Sequence, residues 1–133
     1  MIVRVTQLRH PHGYEIESHQ RLRVGGDYLV VGINVRPRGP TFRIVDDLKY
    51  PFDSSLWPLA MFEVVSPNIS TIWRVAIEVI QENTYLYIGP EQWLRPGFWD
   101  DFLADPPQGI EAKEQYGRDV LHMMAEEGLG RPD

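Results

Sequence analysis

The side chains best able to do chemistry fall into a few small groups. His10 and His12 are one residue apart, so on a strand both imidazoles would point the same way and could begin a metal site, with His19 or an aspartate as third ligand. Pro11 interrupts that geometry, and two histidines fix neither ligand number nor arrangement, so a polar loop is the simpler reading. Asp46-Asp47 and Asp100-Asp101 could supply a general acid and base, or ligands for Mg²⁺. On a strand Asp46 and Asp47 face opposite sides and cannot share a site unless the backbone turns there. On a helix Asp100 and Asp101 lie about 100° apart near an N-terminus, where the macrodipole already favours carboxylates. A small metal-dependent enzyme using His10 and His12 with Asp46 and Asp47 is the alternative reading, and neither a metal nor a cofactor is the expectation.

Covalent chemistry has less support. Ser18, Ser54, Ser55, Ser66 and Ser70 sit in no Gly-x-Ser-x-Gly elbow. The absence of cysteine removes disulfides, thiolate zinc sites and thiol nucleophiles together. Gly25-Gly26 and Gly89-Pro90 read as turns, with no phosphate-binding or dinucleotide fingerprint. His122 lies between apolar neighbours and reads as a structural histidine. Trp73 and Trp99 fall on apolar faces and read as core. Trp57, in a stretch with two prolines, either plugs the sheet edge or anchors a partner, and inward packing is favoured. In the accessory-subunit reading its loop docks on a larger assembly. Seven arginines (Arg4, Arg9, Arg21, Arg23, Arg36, Arg38 and Arg43) precede residue 44. They could form a weak nucleic-acid site, make surface ion pairs, or meet the acidic end of the chain.

The elements that position these groups follow from periodicity. Ile2 to Leu8, Tyr28 to Val35, Phe42 to Asp47 and Met61 to Val65 predict strands, and Leu22 with Val24 a short additional one. Gly32, inside an apolar β-branched run, predicts a bend or bulge. Trp73 to Ile80 and Tyr85 to Ile88 alternate cleanly about Gln81-Glu82-Asn83-Thr84 and predict a hairpin. Leu48 to Leu59 predicts a loop folded over an open side of the sheet. Pro90 to Leu94 predicts one helical turn, and Phe98, Trp99, Phe102 and Leu103 one helical face. Asp105 to Gly109 reads as a linker and Ile110 to Glu127 as a helix ending at Gly128. Gly117 inside that helix suggests a close approach to the sheet. The expected fold is α+β: a small, strongly bent antiparallel sheet or SH3-like barrel followed by C-terminal helices. It forms a single domain over 1–133, with a β body to residue 95, helices over 96–128 and a frayed tail over 129–133.

Charge is uneven along this plan. Residues 97–133 carry nine acidic side chains against three basic ones, the whole net charge of −6, while residues 1–96 balance. An acidic helical end on a neutral β body points to a basic protein partner and disfavours general nucleic-acid binding. With no apolar run long enough to span a bilayer, and no signal-peptide pattern, the expectation is a cytoplasmic protein without a membrane role.

Four stretches carry a resemblance: Phe62-Glu63-Val64-Val65, Ile69-Ser70-Thr71-Ile72-Trp73, Gly89-Pro90-Glu91-Gln92-Trp93 and Gly97-Phe98-Trp99. Over residues 22–103 the chain resembles small bacterial cytoplasmic proteins of the immunity type. The resemblance implies a non-catalytic binder that neutralises a cognate toxin, a basic toxin domain being one candidate. No contact residue transfers through these motifs. The residues expected to meet a partner are Asp100, Asp101, Glu111, Glu114 and Asp119, with Asp46, Asp47 and Trp57 if they lie on the same side.

Overall fold

The structure, a computed structural model, describes residues 1–9 and 22–129. Seven strands form one antiparallel sheet: β1 (Ile2–Val5), β2 (Asp27–Arg36), β3 (Gly39–Val45), β4 (Ser54–Pro58), β5 (Phe62–Ser66), β6 (Trp73–Ile80) and β7 (Asn83–Pro90). Two helices follow, α1 (Phe98–Leu103) and α2 (Gln108–Glu126). The main order is β4-β3-β2-β1-β5, with β7 on β2 and β6 on β7. The expected α+β class, antiparallel sheet and C-terminal helices are present.

The ten residues of β2 organise the molecule. Their first part pairs β1 from Asp27 to Leu29, and their last part pairs β7 from Ile33 to Val35. β3 runs along the other edge, with a register shift between Val30 and Gly32. This is the bulge anticipated at Gly32, and a Cβ there would stand 3.1 Å from the carbonyl oxygen of Ile88. Beyond the bulge the sheet forks, so β1–β5 and β7–β6 extend from the same edge of β2 in different regions.

Core packing follows the apolar positions. Val3, Val5, Leu29, Val30, Val31, Ile44 and Val45 from the sheet meet Phe98, Tyr116, Val120, Met123 and Met124 from the helices, and all are buried. In α2 the buried residues Ala112, Tyr116, Val120, Met123 and Met124 recur at helical spacing, giving one apolar stripe. Gly128, with φ of 70°, closes the helix as expected: its N–H donates to Ala125 O, and Leu129 N–H to Met124 O. No helix among the described residues is long and apolar enough to cross a membrane.

Several local expectations are corrected. Residues 54–58 are a strand rather than loop, paired to β3 from Thr41–Pro58 to Val45–Ser54. The serines and the terminal proline of this edge strand hide its alternation. Leu22 and Val24 form no strand: Leu22 is buried, Val24 is exposed, and a turn follows. Helix α2 begins at Gln108, inside the supposed linker. Leu103 is 80% exposed because α1 stops after six residues, before its apolar face is complete. Gly117 faces Tyr50, not the sheet, and a Cβ there would make ordinary contact at 3.6 Å.

Candidate functional site

The acidic residues expected to form one docking face differ in their surroundings, with Asp101 and Glu111 bordering one hollow between the helices. Asp100, Glu111 and Glu114 are exposed on the helices. Asp101 accepts from Arg95 at 3.1 Å. Asp119 is half-buried and accepts from the Trp93 indole at 2.8 Å and from Gln115 at 3.1 Å. Burial pushes its carboxyl up, while Gln115, Trp93 and the charges of Arg118 and His122 pull it back. Two further carboxylates also turn inward. Glu126 accepts from Ser70 Oγ, from Thr71 N at 2.9 Å and from Thr71 Oγ1 at 2.8 Å. Glu127 holds the Met1 amino group and accepts from Ser66 Oγ at 2.8 Å. Glu126 and Glu127 therefore tie the end of α2 to the β body.

Asp46 and Asp47 lie just past β3 and diverge. Asp46 accepts from Ser55 Oγ at 2.8 Å, and Asp47 from the Lys49 backbone N–H at 2.9 Å. Trp57 is half-buried in β4, packs against the core and donates to Ser55 Oγ at 2.8 Å. Its indole is thereby tied to Ser55 of the same strand. His10, His12 and His19 lie outside the described residues. Among the described residues no group of three potential ligands gathers. His122 is exposed on α2, with Nε2 3.3 Å from Thr71 Oγ1 and 3.7 Å from Glu126, local contacts of the kind a structural histidine makes.

Two features stand out instead, both on the β7 side of β2. The first is a cleft of about 670 Å³. Its floor is the sheet face bearing Asn34, Arg36, Arg43 and Tyr87, and its wall is the 3₁₀ turn Glu91–Leu94 with the start of α1. Register explains the floor: Gly32 opposes Arg43, and Asn34 lies between Thr41 and Tyr87. Trp93, Phe98, Trp99, Phe102 and Tyr116 pack into one aromatic cluster, with Trp93 stacked on Tyr116 at 4.9 Å. This cluster fixes Trp99, over whose ring the Arg43 guanidinium lies at 4.2 Å. Burial pulls Arg43 below its ordinary value; nearby Tyr116 opposes this and the charge of Arg36 adds to it. Burial likewise pushes the Tyr116 phenol up to about 12, leaving it a neutral donor to Phe52 O.

The second feature is β6. Its alternation is as expected, but its apolar side faces outward: Val75 is 60%, Ile77 69% and Val79 67% exposed. Among the described residues its only strand partner is β7. The hairpin closes through Gln81 and Glu82, both at positive φ, so the ladder alternates from the Ile80–Asn83 pair. By that alternation the backbone N–H and C=O groups of Val75, Ile77 and Val79 point away from β7. Sequence reading missed both features. Alternation of Asn34, Arg36, Thr41 and Arg43 carried a signal for a shared face, but nothing in the chain announced that α1 would wall it.

No protein-family model, curated protein or solved structure matches the chain.

Proposed function

We propose that the chain is a non-catalytic protein-binding module, an inhibitor or immunity-type protein on an SH3-like body, acting in the cytoplasm. The observation that carries this reading is the outer edge of β6, which no strand among the described residues pairs. Natural sheets blunt long apolar edges with charge, proline or cover, because a free row of N–H and C=O groups recruits another strand. Here, among the described residues, no strand pairs the outer edge of β6, and Val75, Ile77 and Val79 stand exposed along it. The occupant is a strand of a partner protein, which gains main-chain hydrogen bonds from β6 and apolar contact with Val75, Ile77 and Val79. The charge of −6, with Asp100, Glu111 and Glu114 exposed, favours a basic partner such as a toxin domain.

The test is co-purification with the product of the adjacent gene, using wild type and Ile77→Lys. Loss of the complex in Ile77→Lys, with weakening in Asp100→Lys/Glu111→Lys, supports the reading. Undiminished binding by Ile77→Lys removes β6 from it.

A second copy of the chain is the competing occupant, and one observation favours it. In an antiparallel β6–β6 pair centred on Ala76, Arg74 would oppose Glu78, Val75 would oppose Ile77 and Trp73 would oppose Val79, matching charge with charge and apolar with apolar. Sedimentation across a hundredfold concentration range decides. A dimer abolished by Ile77→Lys assigns the edge to self-association, and a monomer throughout leaves it to a partner.

A further inference from the structure

The cleft beside β7 holds positive charge that the fold leaves uncompensated. Arg43 is half-buried, yet no carboxylate among the described residues lies within ion-pair distance of it. Its one acceptor among the described residues is Ser54 Oγ, at a long 3.4 Å. A guanidinium carries five N–H donors in a planar fork. No side-chain nitrogen or oxygen among the described residues is both fully buried and unpartnered, so the nitrogens of Arg43 without an acceptor reach the solvent of the cleft. Arg36, at the rim of the same cleft, likewise has no carboxylate of the described residues within ion-pair distance. Arg95 differs: it is neutralised by Asp101 and stacked over Phe98 at 5.3 Å. Glu78 is the one acid lining the cleft, and it is ion-paired to none of the three. Two guanidinium groups thus share a partly enclosed space, each raising the cost of the other.

The remaining lining is aromatic. Tyr87 presents a half-buried ring on the floor, and Trp99, held by the helical cluster, stands at the wall with Arg43 already on its face. Planar guanidinium groups recognise oxyanions in bidentate fashion, and half-buried rings accept flat apolar bodies. We infer that the cleft binds a small ligand joining an oxyanion, carboxylate or phosphate, to a flat aromatic body. The oxyanion sits between Arg36 and Arg43, and the flat body lies against Tyr87 and the open part of Trp99. A polyanion is disfavoured, because the chain's net charge of −6 opposes a long phosphate track while leaving a local pair of arginines intact.

The four indole N–H groups make the test internal to the protein. Trp93 and Trp99 border the cleft, whereas Trp57 and Trp73 do not. Titrating ¹⁵N-labelled protein with 1-naphthyl phosphate and with 1-naphthoate is expected to give saturable shifts at Trp93 and Trp99 and none at Trp57 and Trp73. Arg43→Gln is expected to weaken both ligands at least tenfold, and Arg36→Gln about threefold, with the Trp57 and Trp73 resonances of each variant unmoved. Comparing the two probes separates a phosphate from a carboxylate preference, and either preference supports the site. Neutral 1-naphthamide binding as tightly as the anions would overturn the inference, as would inorganic phosphate alone matching naphthyl phosphate. Should Arg43→Gln disturb folding, Arg36→Gln still decides, since Arg36 is exposed and affinity unchanged in that variant contradicts a role for the arginine pair.

Discussion

The two halves of β2 have similar composition and opposite fates. In the first half Leu29, Val30 and Val31 are at most 2% exposed, flanked by β1 and packed beneath α2. In the second half Ile33 and Val35 lie beside β7, and one strand further out Val75, Ile77 and Val79 stand open. Both regions are rich in β-branched residues. What separates them is whether a helix arrives overhead. Helix α2 crosses the first half and is locked there by Glu126 and Glu127, while α1 ends after six residues and leaves the cleft beside it. An apolar alternation therefore reports which side chains share a face and is silent on what covers that face.

The widest gap between the halves is energetic. Met123 is 2% exposed, and its sulfur accepts the Trp73 indole N–H at 3.2 Å. Met123→Ala is expected to cost about 3 kcal/mol, within the range for emptying a buried methionine site. Ile77→Ala, at a residue 69% exposed, is expected to stay within about 0.5 kcal/mol. Urea denaturation of both variants checks the contrast. A cost at Ile77 comparable to that at Met123 would mean that β6 is covered in the protein as it stands in solution.

A second steric difference lies between two glycines of α2. A Cβ on Gly109 would stand 2.1 Å from the carbonyl oxygen of Ala104, where backbone on both sides resists movement. Gly109→Ala is expected to lose about 2 kcal/mol, the scale of forced overpacking. Gly117→Ala meets only ordinary contact and is expected to gain up to about 1 kcal/mol through helix propensity. Thermal melts of the pair separate a glycine the joint requires from one it tolerates.

Much of the plan was legible in the chain. The hairpin β6–β7, the bulge at Gly32, the helical turn after Pro90 and the Gly128 cap all follow from local signals, namely alternation, a β-branched run interrupted by glycine, and a left-handed terminus. The failures were non-local. Strand β4 exists because β3 offers it an edge, not because Ser54-Ser55-Leu56-Trp57-Pro58 has strong strand character. Counting charge placed Asp119 on a docking face and Glu126 and Glu127 in the same acidic end, but their partners (Trp93, Ser70, Thr71 and the Met1 amine) lie 26 to 126 residues away in the chain. The cleft likewise needs residues from β2, β3, β7 and the α1 region together.

The inward carboxylates make a pH-dependent version of the same contrast. Glu126 is held below the usual carboxylate range. Desolvation works against this, and hydrogen bonds from Ser70 and Thr71 with the charge of His122 outweigh it. A depressed folded-state pKa means that the contribution is full above the unfolded value of about 4.3 and fades as pH falls through the lower folded value. Glu126→Gln is expected to cost about 1 kcal/mol at pH 7, the scale of one net hydrogen bond at a partly exposed, solvent-screened group. The difference from wild type should shrink as pH is lowered past 4. Glu114→Gln, on an exposed stretch of α2, should show neither effect. A deficit at Glu126 that persists unchanged at pH 3 would show that packing, not charge, holds the end of α2.

The smallest expected effect tests whether the open half is free to be strengthened. Gln81 and Glu82 turn the β6–β7 hairpin with φ of 49° and 69°, a left-handed pair that L-residues with a Cβ adopt at a cost of about 1–2 kcal/mol each. Asn-Gly is the pair that such two-residue turns prefer. Glu82→Gly relieves one strained residue but gives the unfolded chain more freedom, so the net gain should be only about 0.5 kcal/mol. Both side chains are exposed at the tip, remote from Val75 and from the cleft floor at Asn34 and Arg43. Stability by urea should rise slightly while partner capture and naphthyl phosphate affinity stay unchanged. Improved capture instead would show that the hairpin is frayed in solution and that its ordering, rather than its exposed side chains, limits binding.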